Sequence, residues 1–427
     1  MNNGKTKDRM KKVRMTWRLL NLIGLLFTAA QSSGQVFTLD SVLEVIGRRN
    51  PMLREYDHRV SSQQAYTAGA RSWMAPMFGA GTFMTPYPGQ TAEPSAAGSL
   101  MVSVEQNIPN PARQAANERY FASRAAVEEQ AKAVRFNDLR AEAKSAYYRW
   151  LVAEKRLRIL REGEELIQLM LKLARIRFPY NQGSLGAIYK TEGRLHEVQN
   201  MSLMAAGEIE QAAFTLRAIM NLPPDAEIRI DTTTRVRFEQ SNFPSDTASL
   251  RTQRSDVRQL EKTIEVMRLN QELQRYQSKP EFRFRFDHMQ PYAGGMPSQF
   301  TAMAMVSIPI APWSSRMYKA EVKGMEHSIE AMKRGREAVL TETKGMLAGM
   351  AAQLRRMEQQ LDNYQTRIIP ALRKNHQAAQ VAYEENRETL TMVVDGWEAL
   401  NMAQLAHLDK LTEYYEMIVR YEKEVER

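Results

Sequence analysis

Pro111–Tyr180, reading PARQAANERYFASRAAVEEQAKAVRFNDLRAEAKSAYYRWLVAEKRLRILREGEELIQLMLKLARIRFPY, decides the fold. These roughly 70 residues hold one glycine, Gly163. Leu139, Ala143, Ala146, Trp150, Ala153, Leu157, Leu160, Ile167, Leu171, Ala174 and Phe178 recur with a heptad step. That spacing puts them on one stripe of a helix. At about 1.5 Å per residue the helix is roughly 100 Å long. A single stripe cannot be buried alone, so other helices must pack along it as a coiled coil. The helix is expected to break at Tyr180-Asn181-Gln182-Gly183. There glycine takes the left-handed conformation that lets the chain double back.

Outward from this stretch, four landmarks recur in one order. Asn50-Pro51-Met52-Leu53-Arg54 answers to Arg254-Ser255-Asp256-Val257-Arg258, and Pro76 to Pro280. Pro111 answers to Pro312, and Tyr180-x-x-Gly183 to Tyr383-x-x-Asn386. The offsets stay between 201 and 204 residues, which reads as two copies of one unit. Each copy is expected to run helix, two strands, long helix, turn, helix. In the first, Thr38 to about Gly69 is helical with Asp40-Ser41 as start signals, and Trp73–Tyr87 and Leu100–Gln106 are strands. Pro86–Gly98 joins them as an exposed loop, Asn110 caps the long helix, and a second helix runs from Gly183 to about Asn221. In the second, Ser255 to about Gln277 is helical, and Glu281–Met289 and Gln299–Ile310 are strands around a tip at Gly294-Gly295. Pro312–Tyr383 is the second long helix, kinked at Pro370, with Leu361, Tyr364, Ile368, Ala371, Asn375, Ala378 and Ala382 as its stripe. The expected divisions are 1–34, a signal peptide; 35–222, the first copy; 223–250, a helix-poor linker; and 251–427, the second copy.

The signal-peptide reading rests on a basic stretch (Lys5, Lys7, Arg9, Lys11, Lys12, Arg14, Arg18), a short apolar run Leu19–Ala30, and Gln31-Ser32-Ser33-Gly34. Those seven cations less Asp8 account for +6 of the net +10, so +4 remains after cleavage. The basic pI belongs largely to the leader, which argues against a nucleic-acid partner. There is no cysteine, hence no disulfide and no thiolate metal site. Mean hydropathy is −0.49, and no later run is long enough for a membrane-spanning helix. Alternating strands escape that test.

Phe282, Phe284 and Phe286 alternate with Arg283, Arg285 and Asp287. One face is aromatic and the other charged, as in a barrel wall between lipid and water. Four strands do not close a barrel, but three chains supply twelve, and a rotational trimer is an ordinary closed assembly. The same symmetry wraps the helices into a tube.

The whole mature chain resembles the TolC family of outer-membrane efflux channels. The carriers are Arg48-Arg49-Asn50-Pro51-Met52-Leu53-Arg54, Ala146-Tyr147-Tyr148, Leu151, Ala153-Glu154, and Tyr180-x-x-Gly183. Leu216, Asn221-Leu222-Pro223, Arg254-Ser255-Asp256-Val257 and Leu273–Pro280 complete the set. The resemblance implies a mainly α fold with a membrane portion: a homotrimer with a twelve-stranded outer-membrane β-barrel and a periplasmic α-barrel tunnel of long antiparallel helices. It also implies an inner-membrane pump and a periplasmic adaptor as partners. The second tip has Asn386 where the family has glycine. Asparagine tolerates the left-handed conformation, so the turn is expected to survive.

No enzyme chemistry is legible. The six histidines are scattered and none pairs at ligand spacing; no cofactor is expected. Function is then positional. Tyr180, Gly183, Ser184, Leu185, Tyr383 and Asn386 are the expected adaptor-contact tips. Glu384, Glu385, Glu388 and Asp395 are candidates for an aperture ring, because threefold symmetry triples any inward carboxylate. Of 26 methionines, Met303 and Met305 share a strand face with Thr301 and Ser307. Thioethers suit Cu(I) and Ag(I), so heavy-metal ions are one cargo class and drugs or other small molecules the alternative. The rival to a duct is a rod-like periplasmic coiled-coil scaffold without a pore. A scaffold has no need of four amphipathic strands.

Overall fold

The computed structural model describes residues 35–90, 97–180, 183–234, 236–239, 246–292, 295–309 and 311–426. The segment 1–34 expected to be a signal peptide, Asn181-Gln182 of the first turn, and Gly294 of the hairpin tip lie outside the described residues. In chain order the elements are β1 (Gln35–Phe37), α1 (Leu39–Arg49), α2 (Pro51–Gly69), β2 (Met77–Phe83), β3 (Ser99–Ile108) and α3 (Pro111–Arg177). They continue with α4 (Leu185–Ile219), β4 (Ile228–Ile230), α5 (Thr247–Gln253), α6 (Ser255–Arg275), β5 (Glu281–Pro291) and β6 (Gln299–Ser307). The last are α7 (Pro312–Asn363), α8 (Ile369–Glu384) and α9 (Leu390–Val425).

The expected helix from Thr38 to Gly69 is two helices. Pro51 disfavours helical backbone in the residue before it, and Asn50 accordingly sits at φ −65°, ψ 124°. Thr38 rather than Asp40 caps the start, its hydroxyl accepting from the Ser41 N–H at 3.3 Å. Asn110 caps α3, accepting from the Ala112 N–H at 3.0 Å.

The chain divides into two compact units. One comprises Asp138–Gln240, Met350–Lys423 and the segment ending at Asn50. Here the stripe of α3 from Leu139 to Ala174 is buried; only Phe178, in the 3-10 turn after the helix, is exposed. Tyr147 is fully buried, and its hydroxyl donates to the Asp231 carbonyl at 3.1 Å. That bond supports a two-stranded parallel sheet of β1, at the start of the expected first copy, and β4, within the segment expected to be a linker. Two asparagines clamp neighbouring helix ends. Asn50 Nδ2 donates to the Ile219 carbonyl at 2.8 Å, and Asn221 Nδ2 to the Arg49 carbonyl at 3.4 Å. Asn221 is left-handed at φ +53°, with the Leu222 N–H bonded back to the Arg217 carbonyl. This is a Schellman closure, and it gives Asn221-Leu222-Pro223 a structural purpose.

The second long helix departs from expectation in a specific way. A π-turn, Tyr364–Ile368, separates α7 from α8. Pro370 lacks an N–H, and its ring crowds the carbonyl four residues before it; the turn ahead of it widens. One extra residue is taken up, so the buried row after it moves by one. The expected stripe Ala371, Asn375, Ala378 is exposed, while His376 and Tyr383 are buried.

The other unit comprises Pro51–Asn137, Ser241–Gly349 and the last residues from Glu424. It holds a four-stranded antiparallel sheet in the order β2-β3-β5-β6. Arg254 closes the start of α6 on Glu424 at 2.6 Å, and Ser255 donates to Glu426 at 2.6 Å.

Gly163 in α3 has a packing reason. A Cβ there would lie 2.9 Å from the Trp397 ring, which is itself buried. Gly163→Ala should therefore lower stability by about 1–2 kcal/mol even though alanine is the better helix former by about 1 kcal/mol. Thermal unfolding followed by circular dichroism checks it; a raised midpoint would mean that Trp397 does not need the gap.

Candidate functional site

Two regions carry the functional argument, one in each unit. In the sheet, register fixes the faces. Phe282, Phe284 and Phe286 pair with Ile108, Gln106 and Val104 on β3 and with Val306, Ala304 and Ala302 on β6. Phe78 on β2 sits opposite Val104. The resulting apolar face is exposed: Phe78 75%, Phe300 69%, Phe282 52% and Val306 51%. The opposite face carries Glu105, Arg283, Arg285 and Asp287. Arg283 bridges Glu105 and Arg285 bridges Asp287, each at 2.9 Å. Charges paired on one side and bare aromatics on the other are what a wall between water and an apolar medium requires. The edge strands β2 and β6 have no neighbour within the chain among the described residues.

In the helical unit, both turns meet over one apolar cluster that includes Ala174, Ala187, Ile188, Tyr383, Leu390 and Val393. Arg177 joins them. Its guanidinium donates to the Tyr383 carbonyl at 2.9 Å and lies 4.6 Å above the Tyr383 ring centre. Lys190 and Asp395 add an ion pair at 2.6 Å. The second turn closes on Asn386, left-handed at φ +59°, with the Arg387 N–H bonded to the Ala382 carbonyl at 2.8 Å. Asparagine thus does there what glycine would do. The first turn is built differently. Phe178–Tyr180 is a 3-10 turn containing Pro179, and Gly183 is not left-handed. It leads instead to Ser184, whose hydroxyl caps α4 by accepting from the Ala187 N–H at 3.1 Å.

No family model and no curated protein matches this chain. Solved structures do. The outer-membrane channel OprN is similar with a TM-score of 0.73, over 91% of this chain and 89% of that one, at 16% identity. The outer membrane protein VceC of Vibrio cholerae gives 0.71 over 91% and 95%, at 14% identity. The open state of the MtrE outer membrane channel of Neisseria gonorrhoeae gives 0.71 over 91% and 88%, at 15% identity. The chain has the TolC-type channel fold.

Within this TolC-type fold, Tyr180, Gly183, Ser184, Leu185 and Asn386 are exposed at the turns, and Tyr383 is buried between them. Of the ring candidates, Asp395 is paired with Lys190, and Glu385 with Arg387 at 3.1 Å. Glu384 accepts only from Gln380 at 3.3 Å, and Glu388 forms no ion pair among the described residues. Met303 and Met305 lie opposite Arg285 and Arg283, on the charged face. No group of three or more acidic or histidine side chains able to hold a metal occurs among the described residues. Sequence reasoning missed Arg177, Lys190 and His376. Arg177 stood in the last turn of α3, where a cation is expected from the helix dipole alone.

His376 is buried, and its Nδ1 has no hydrogen-bond partner. Burial pushes its pKa below the ordinary 6.5, only partly offset by the Val393 backbone. Burial and then Lys155 lower that of His407 as well. With folded-state values depressed, the unfolded chain takes up protons that the folded chain refuses. Stability is complete above about pH 6.5 and declines as pH falls toward the folded values. The unfolding midpoint should therefore drop between roughly pH 7 and 5, and His376→Gln should flatten that drop; an unchanged slope would remove His376 from the account. At the second turn, Asn386→Ala should cost about 1–2 kcal/mol, whereas Asn386→Gly should be tolerated. Limited proteolysis of the turn reads both; equal resistance of the two variants would contradict the left-handed cap.

Proposed function

We propose that the chain is one subunit of a homotrimeric exit duct in the outer membrane, with its helices forming a tunnel in the periplasm. The observation that carries this is the sheet: an exposed aromatic face, a charged face and two open edges. A strand edge left in hydrocarbon costs several kcal/mol per unpaired group. A second and a third copy remove the edges. Since β2 and β6 run antiparallel to one another, placing β6 beside the next copy's β2 continues the alternation. Three copies then give twelve strands, an even number. The TolC-type fold supports the same reading, and so does the chain's order of elements. Helix, two strands, long helix, turn and helix follow Pro51 and follow Ser255, in keeping with two copies at 35–222 and 251–427 around the segment 223–250.

Conduction is passive; energy comes from an inner-membrane pump reached through a periplasmic adaptor. The adaptor meets the exposed turns at Tyr180, Gly183, Ser184, Leu185 and Asn386, with Tyr383 beneath them. Among the ring candidates Glu384 and Glu388 are favoured, because Asp395 and Glu385 already have cationic partners within the chain. A carboxylate ring admits cations more readily than anions. The cargo class is a second reading. Met77, Met101, Met289, Met303 and Met305 share the charged face, which favours soft metal ions. The arginines opposite Met303 and Met305 oppose it, which leaves drugs or other small molecules as the stronger class. Silver and copper tolerance of a deletion strain decides between them.

The pore-free scaffold is opposed by the exposed aromatic face, which a water-soluble rod could not keep in solution. In a planar bilayer the purified protein should give discrete conductance steps, and Arg177→Ala with Lys190→Ala should enlarge them at least about twofold by freeing the turns. A water-soluble monomer without conductance would overturn the duct.

A further inference from the structure

The sheet's unit has a second feature that the duct does not use. Its helices α6 and α7 form a groove of about 510 Å³ lined by Arg275, Tyr318, Lys319, Val322 and Lys323, with Glu326 at one end. The turn after α6 ends at Ser278, three residues before β5, and α7 begins five residues after β6. Both walls therefore adjoin the same end of the strands.

The charge here is lopsided. Arg275 lines the groove with Lys319 and Lys323; Arg316 lies one turn before Lys319 on α7, and Lys279 follows Arg275 by four residues in the chain. All five are exposed, and none forms an ion pair among the described residues. Two acids near the start of β5 are taken up within the chain, Glu281 by Arg113 and Glu272 by Arg119 at 2.8 Å, while Glu326 lines the groove and Glu321 lies on α7 beside it. Against these five cations α7 sets Glu321 and Glu326, so three positive charges remain for an anion from outside.

What lies beside them says which anion. Trp313 is 79% exposed and Met317 72% exposed. On the helix they sit about 100° round from the basic row. An indole at the end of an apolar sheet face marks the level of the headgroups. Cations next to it act on the phosphates at that level.

We propose that this groove binds the headgroup of an anionic phospholipid in the periplasm-facing leaflet, with Arg275, Lys319 and Lys323 on the phosphate and Trp313 and Met317 among the acyl chains. The proposal rests on the outer-membrane reading above. Its role is to fix the height of the sheet in the membrane.

The full-length protein in neutral detergent tests it, with retained lipid counted by native mass spectrometry. The probes are dioleoylphosphatidylglycerol, dioleoylphosphatidylcholine and inorganic phosphate. The anionic lipid should bind at least about tenfold more tightly than the neutral one. Inorganic phosphate at equal concentration should not displace it. The variant Arg275→Gln, Arg316→Gln, Lys319→Gln, Lys323→Gln should lose the preference while keeping its bilayer conductance. Equal binding of the two lipids by the unaltered protein would overturn the proposal without any variant. So would an unaltered preference in the variant, or displacement by phosphate, which would mark a soluble-anion site. Lost lipid preference with conductance intact in the unaltered protein defeats only this inference; absent conductance defeats the duct.

Discussion

The edge strands β2 and β6 impose the constraint on which the rest depends. Each presents an edge with no neighbouring strand in the chain among the described residues, beside a face of bare phenylalanines. In water that face is an aggregation hazard; in lipid the open edges are untenable. The closure with further copies proposed above would satisfy both. The charged face fits the same proposal: Glu105–Arg283 and Arg285–Asp287 pair on the side that a closed wall would keep wet.

The helical unit is held by fewer and more local devices than its length suggests. The stripe of α3 supplies burial, but burial along a stripe leaves axial sliding open. Gly163 against the Trp397 ring fixes one level, and Tyr147 on the Asp231 carbonyl fixes another. The reciprocal bonds of Asn50 and Asn221 fix the helix ends. At the turns, Arg177 on Tyr383 and Lys190 on Asp395 join segments about two hundred residues apart in sequence.

Much of this was legible. Heptad spacing gave the buried face of α3 because nothing in that helix interrupts its winding. The alternation of Phe282, Phe284 and Phe286 gave the two faces of β5 because strand periodicity is insensitive to distant contacts. The stripe after Pro370 was misread by one residue. Counting assumes regular winding, and the π-turn at Tyr364–Ile368 adds a residue that periodicity does not see. Asn386 could be read as a left-handed cap from its side chain alone, whereas Gly183, with no side chain to constrain it, was free to be something else. Arg177, Lys190 and His376 stayed hidden because their significance lies in partners near positions 376–396, which local patterns do not reveal.

Closure of the sheet by neighbouring copies can be measured directly, since the natural chain has no cysteine to interfere. A cysteine at Gly79 on β2, combined in turn with one at each position from Phe300 to Val306 on β6, scans the proposed seam between copies in the membrane. Oxidation should yield covalent dimers and a closed covalent trimer, strongest at one register and falling off on either side. A chain that stays monomeric at every register while embedded in lipid would contradict the account.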